Sequence, residues 1–327
     1  MTTELRKGLK PFDPEKHARF KTTEDYGFAF PPVVYPIDKS GGVTNLGMGG
    51  NGPDSALTVN GGQPCGDCGP NAVPKNVNQT TAVLAGVKYT AMTSNEIVTL
   101  YFTYQAELAG IAWRPTGDNW VAPDGLDQGV DLGDWLIWLF KQGLIEGFVA
   151  IPLDKLDAAL ATLDAVIAGA ALNPQADQQC LDGQIWDIGP GDEPDPNLGH
   201  AITYIKALSV TGPYEWGTWS QQQASTLAWK QGCVQQAFAV LTKEEAEAIG
   251  FPFATLVADL HALGGTVVAP PAPAPAPPPP APKPTPAPPG PGPAPKPPTP
   301  APPIPVPPPE VVSWFRAFVN WLESFGK

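Results

Sequence analysis

The chain is short of basic residues, histidine, cysteine and long apolar runs, and each shortage excludes something. Nineteen Lys and Arg stand against 32 Asp and Glu, a formal charge of −13. No basic block gathers along it, so it lacks the clustered cations that grip a phosphate backbone, and nucleic acid is not expected among its partners. No apolar run reaches the roughly 18 residues of a membrane-crossing helix. The opening residues Met1-Thr2-Thr3-Glu4-Leu5-Arg6 have no apolar stretch behind them, so no secretory signal is expected. Four cysteines in 327 residues, with no such signal, point to thiols rather than a disulfide framework. Cys180 and Cys233 read as small buried apolar residues. No cofactor or metal is expected.

What the chain does have is proline, unevenly spread. Residues 270–309 hold 25 of the 43 prolines, with two lysines, two glycines and no acidic residue. That composition makes a stiff polyproline II spacer, about 120 Å long at ~3.1 Å per residue. The chain thus divides into four segments: an extended arm over 1–60 packed on the domain, a globular domain over 61–267, the proline-rich spacer over 268–309, and an amphipathic helix over 310–327. In the last, Val311, Trp314, Phe315, Phe318, Trp321, Leu322 and Phe325 fall at helical spacing. Its charges, Glu310, Arg316, Glu323 and Lys327, cancel. A membrane-surface helix carries an excess of Lys and Arg, whereas a neutral aromatic face suits a protein groove. Trp314, Phe315, Phe318, Trp321, Leu322 and Phe325 are therefore the expected docking residues, with membrane contact and self-association as alternatives.

Helical periodicity predicts helices over 68–85, over Ser94 to Ala109 with Ser94 as cap, and over Asp131 to Gly143. Apolar residues almost encircle the third, which marks it as central. Strands are expected over 146–151, 165–172, 201–208, 214–219 and 236–241. Residues 153–163 read as a helix, and 243–263 as a helix broken near Pro252. Residues 174–197 read as a polar, acidic, solvated loop. Helices first and strands second make an α+β domain.

One run carries chemistry: Gln63-Pro64-Cys65-Gly66-Asp67-Cys68-Gly69-Pro70. It places a cysteine at an expected helix start, where the helix dipole and open N–H groups favour a thiolate. Far downstream lie Leu198-Gly199-His200-Ala201 and Glu215-Trp216-Gly217. A cysteine that can pass its proton to a histidine can attack acyl carbons. Cys68 is the candidate nucleophile and His200 the candidate base. Gln63 is the candidate oxyanion donor, beside the backbone N–H of Cys68.

Gln63-Pro64-Cys65-Gly66-Asp67-Cys68 resembles the nucleophile segment of papain-like cysteine peptidases, shortened by one residue. Gly199-His200-Ala201 resembles that family's histidine strand, and Trp216-Gly217 the pair that follows its asparagine. The arrangement is most similar to papain-like proteins encoded by bacteriophages of actinobacteria. The shared pieces are Leu46-Gly47-Met48-Gly49-Gly50-Asn51, Gly66-Asp67-Cys68, Asp127-Gln128-Gly129-Val130-Asp131 and Trp216-Gly217. The likeness spans roughly residues 40–245. It implies a helical half carrying Cys68 and an antiparallel sheet half carrying His200. Tyr214 stands where the family has its histidine-orienting asparagine, which leaves Glu215 or an acid of 174–197 as the third partner.

Three functional classes are consistent with these features. In the first, the domain is a virion-associated hydrolase of amide bonds, assembled in the host cytoplasm and displayed from a phage capsid or tail through 310–327. Host-surface peptides, such as cell-wall stems, would be its substrate. In the second it is an inactive decoration or host-binding module on a hydrolase-derived fold. In the third it is a soluble cysteine hydrolase of the infected cell. Other readings of Cys68 are a redox Cys65-x-x-Cys68 pair, a zinc ligand or a buried structural thiol. His200 also suits a hydrogen-bonded core histidine. Asp124, Asp127, Asp131 and Asp134 suggest calcium faintly, and helix N-terminal charge explains them as well.

Overall fold

A computed structural model describes residues 8–40, 66, 68–73, 94–112, 125–163, 166–218 and 221–264. The spacer, the C-terminal helix and its six docking residues lie outside the described residues, as do Gln63, Cys65, the 46–51 loop, Asp124 and Trp219. The contact pattern divides the chain into Met1–Ala269 and Pro270–Lys327. Every described element belongs to the first unit.

An antiparallel sheet is its frame. Seven strands, β1 (Ile37–Asp38), β2 (Gly147–Ala150), β3 (Val166–Ala171), β4 (Gly199–Ala207), β5 (Tyr214–Thr218), β6 (Gln221–Ser225) and β7 (Val234–Leu241), run in the order β2-β7-β3-β4-β5-β6. β1 pairs with β4 at Ala207 and Lys206. β3 leaves that edge of β4 at Tyr204, and β5 occupies the opposite edge, so β1 continues the row β3 ends. Every residue of β3 is buried. Its unbroken apolar run, Val-Ile-Ala-Gly-Ala-Ala, is what a strand covered on both faces requires.

The described helices are α1 (Pro14–His17), α2 (residues 68–73), α3 (Ser94–Ala109), α4 (Leu132–Lys141), α5 (Leu156–Leu163), α6 (Ala176–Leu181), α7 (Leu227–Cys233), α8 (Lys243–Ala248) and α9 (Phe253–Gly264). The bounds of α3 match the periodicity. α4 is capped by Asp131, whose carboxylate accepts the Asp134 N–H, and eight of its residues are buried. Tyr104 of α3 meets Trp135 and Trp138 edge-on, and those two indoles stack at 5.1 Å. This is the central helix the sequence implies.

Three expectations need correction. The 174–197 segment contains α6, and its Trp186 is fully buried with its indole N–H on the Ala176 carbonyl at 2.9 Å. Ala176, Cys180, Trp186 and Asp192 are buried and anchor the segment, while most of its other residues are exposed as expected. β6 is absent from the periodicity: Gln-Gln-Gln-Ala-Ser lacks the β-branched and aromatic residues of strands, and its place comes from pairing with β5. α7 is an unexpected helix too, although Thr226 caps it by accepting the Trp229 N–H.

The arm packs on the domain and contains short regular elements. It holds α1, with Asp13 as its cap, and β1. Its Phe20 packs edge-on against Phe238 of β7 at 5.5 Å.

Candidate active site

Cys68 lies in α2, among buried Asn71, Ala72 and Val73. The Thr203 hydroxyl donates to the Ala72 carbonyl at 3.5 Å and lays α2 against β4. This brings the Cys68 Sγ to the start of that strand, where it accepts the backbone N–H of Ala201 at 3.3 Å. The thiol of one half therefore sits on the peptide that joins His200 to Ala201.

His200 is buried, in register with Ala170 of β3. Its Nε2 lies 2.6 Å from the Thr218 Oγ1. The contact with Thr218 uses Nε2 and not Nδ1. Thr218 ends β5 and is itself buried.

The residue in contact with the His200 ring thus lies on the other side of Trp216-Gly217 from where the sequence directs attention. Antiparallel register explains it. Glu215 pairs with Lys206, six residues along β4 from His200, or about 20 Å away at ~3.3 Å per residue. There its carboxylate lies 3.5 Å from the Lys206 ammonium. Thr203 pairs with Gly217, so the next residue of β5 steps back toward His200. Hairpin arithmetic from that pairing leads to Thr218. Three acids of 174–197 also serve elsewhere. Asp192 accepts from the Asn173 side chain and the Gln175 N–H, Asp187 from Thr226, and Asp195 from Asn197.

The Asp127-Gln128-Gly129-Val130-Asp131 motif braces the nucleophile loop. The Asp127 carboxylate accepts the Gly66 N–H at 2.9 Å, two residues before Cys68, and the Tyr101 hydroxyl at 2.7 Å. That hydroxyl takes the Gly129 N–H at 2.9 Å. Asp131 caps α4, and Asp134 pairs with Arg19. These three acids have structural work, and among the described residues no three His, Cys, Asp or Glu are grouped to hold a metal ion.

Two further thiols are described, both buried. Cys180 accepts from the Gln221 amide, yet burial pushes its pKa up to about 11. Burial pushes Cys233 to about 12. Both stay protonated at neutral pH and behave as the apolar residues expected. A thioredoxin-like reading of Cys65-x-x-Cys68 requires a parallel βαβ unit; every named strand pair in the described residues is antiparallel.

No family model matches the chain, and no curated protein matches it in sequence. Similar solved structures are cysteine proteases. Xylellain, a cysteine protease from Xylella fastidiosa, is 11% identical with a TM-score of 0.44 over 74% of this chain and 99% of that one. The digestive procathepsin L2 proteinase of Tenebrio molitor larval midgut is 15% identical, with a TM-score of 0.41 over 74% and 76%. Procathepsin L 3 of the same midgut is 13% identical, with a TM-score of 0.40 over 73% and 76%.

Proposed function

We propose that this is a papain-like thiol hydrolase domain that cleaves an amide bond through an acyl-enzyme. The observation that supports it best is the Cys68 sulfur on the Ala201 N–H while Thr218 holds the neighbouring imidazole by Nε2. In this reading Cys68 passes its proton to Nδ1 of His200. The thiolate then attacks the acyl carbon, and a C–S bond forms. The C–N bond breaks as the imidazolium returns the proton to the departing amine. Water, deprotonated by His200, hydrolyses the thioester and restores the thiol. Gln63 and the Cys68 N–H would hold the oxyanion.

The display reading extends this proposal. The domain is carried on residues 268–309 and attached through Trp314, Phe315, Phe318, Trp321, Leu322 and Phe325 to a phage capsid or tail. Its support is the sequence: a stiff spacer ending in a neutral aromatic face, and the phage-type motifs. Deleting 310–327 should abolish association with the particle, and retained association would sink it.

One observation favours the inactive alternative. Cys68 is 2% exposed and His200 1%, so the pair is closed to bulk solvent. Alkylation of Cys68 across pH, in the parent and in His200→Ala, separates the two. Fast labelling below pH 7 that collapses in the variant supports a working pair. Slow labelling with an ordinary thiol profile in both leaves a scaffold.

A further inference from the structure

We propose that residues 8–10 are a strap that sets the spacing of Cys68 and His200, positioning the pair without sharing its chemistry. This rests on the thiol–imidazole reading above. The strap is hydrogen-bonded to both halves at once. The Leu9 N–H donates to the carbonyl of Gly199, the residue before His200, at 3.1 Å. On its other side, the Lys10 N–H donates to the Val130 carbonyl at 2.8 Å, and the Val130 N–H to the Gly8 carbonyl at 2.7 Å. Val130 belongs to the segment whose Asp127 holds the Gly66 N–H of the cysteine loop. A short path thus runs from Cys68 through Gly66, Asp127, Val130 and Leu9 to Gly199 and His200.

Apart from the Asp127 carboxylate, the contacts along this path are main chain on main chain. A Cβ on Gly8 would stand 1.7 Å from the Gly66 carbonyl oxygen. One on Gly199 would stand 2.3 Å from the Leu9 oxygen, and one on Gly129 2.4 Å from the Gly8 oxygen. Gly129 has a φ of +68°, which L side chains rarely adopt. Backbone against backbone has no rotamer to absorb a shift, so moving the strap moves the cysteine loop or the histidine strand. The Leu9 side chain seats the strap. It is buried, and its Cδ2 would lie 2.9 Å from a Cβ on Gly169 of β3. Gly8, Gly129 and Gly199 are needed for closeness here, where a larger residue would meet backbone and hold the halves apart.

The test is alkylation of the full chain by iodoacetamide between pH 5 and 9, read at each cysteine by peptide mass spectrometry. It compares the parent, His200→Ala, Gly8→Ala and the milder Leu9→Ala. Cys180 and Cys233 are internal reporters of unfolding, because both are buried. The strap proposal expects Cys68 labelling near pH 6 to fall at least about tenfold in Gly8→Ala, toward the His200→Ala profile, since a misplacement of ~1 Å is costly. Leu9→Ala should move the profile in the same direction by less. Cys180 and Cys233 should stay protected in both. An unchanged Cys68 profile in both strap variants overturns the proposal while leaving the pair intact. So does a change that appears only in step with Cys180 and Cys233. If the parent and His200→Ala label alike, the thiol–imidazole reading itself fails, and the strap proposal falls with it.

Discussion

Two polar clusters are buried along β4, four residues apart, and they are built differently. At Tyr204 the groups are saturated. The Asp157 carboxylate accepts the Tyr204 hydroxyl at 2.6 Å, the Tyr35 hydroxyl at 2.6 Å and the Lys230 ammonium. The same ammonium lies 4.0 Å from the centre of the Tyr214 ring. Burial pulls the Lys230 pKa below its ordinary value, against the pull of Asp157. At His200 the groups are a thiol, an imidazole and a hydroxyl, and none needs a fixed charge. Passing the thiol proton to the imidazole would turn two neutral groups into a thiolate and an imidazolium whose opposite charges compensate each other. The first cluster thus fixes the sheet half, while the second is able to change state.

The largest expected effect falls on activity alone. Cys68→Ala should reduce hydrolysis by about 10⁵- to 10⁶-fold, the scale seen when a nucleophile acting in a triad is removed. Its melting temperature should move by only a few degrees, because one small buried group is lost. Activity surviving in Cys68→Ala would remove the second cluster from the comparison.

Next is the converse. Asp157→Ala should destabilise the fold by about 3–5 kcal/mol in a denaturant titration, because it strands the Lys230 charge. The paired change Asp157→Asn with Lys230→Met should recover most of that loss. In the folded fraction Cys68 should keep its labelling profile. A stable Asp157→Ala protein would mean that the carboxylate is not what balances Lys230.

Smaller still is the orienting hydroxyl. Thr218→Val keeps the shape of the side chain and removes the partner of Nε2. The rate should drop about 10- to 100-fold, with the pH–rate profile displaced, and Thr218→Ser should restore both. If Val and Ser behave alike, the hydroxyl does not orient the ring.

The clusters are unequally legible in the sequence. Cys68 and His200 are rare residue types set in distinctive runs, so they can be named, and α3, α4 and β3 follow from periodicity. Thr218 cannot be found by residue type, because a threonine in a strand is ordinary; only strand register gives it a role. The Asp157–Lys230 pair joins residues 73 apart, on helices without a shared motif, and nothing local announces it. Glu215 misleads because an acid beside Trp216 is near the motif in sequence but at the far end of β4 in space. Contacts made through pairing are invisible until the pairing is known. That also hides β6, whose three glutamines have no strand preference of their own.

The smallest effect separates the clusters along pH. Burial and the nearby Asp157 raise the pKa of Tyr35 and Tyr204 above the ordinary 10.0, and burial chiefly raises Tyr214. Folded, these phenols stay neutral; unfolded, they ionise near pH 10. The unfolded chain then holds fewer protons than the folded one above pH 10, so their contribution to stability is intact below that point and lost above it. Lys230 acts in the opposite sense. Its folded pKa is lowered from 10.5, so between the two values the unfolded chain binds the extra proton and stability rises with pH. Below about pH 10 Lys230 acts alone, near pH 10 the two oppose each other, and above 10.5 only the phenols act. Urea titrations from pH 7 to 11 should therefore show a shallow dependence that turns downward above pH 10, and Tyr35→Phe should soften the turn. A steep fall already complete by pH 9 would place the sensitive group outside this cluster.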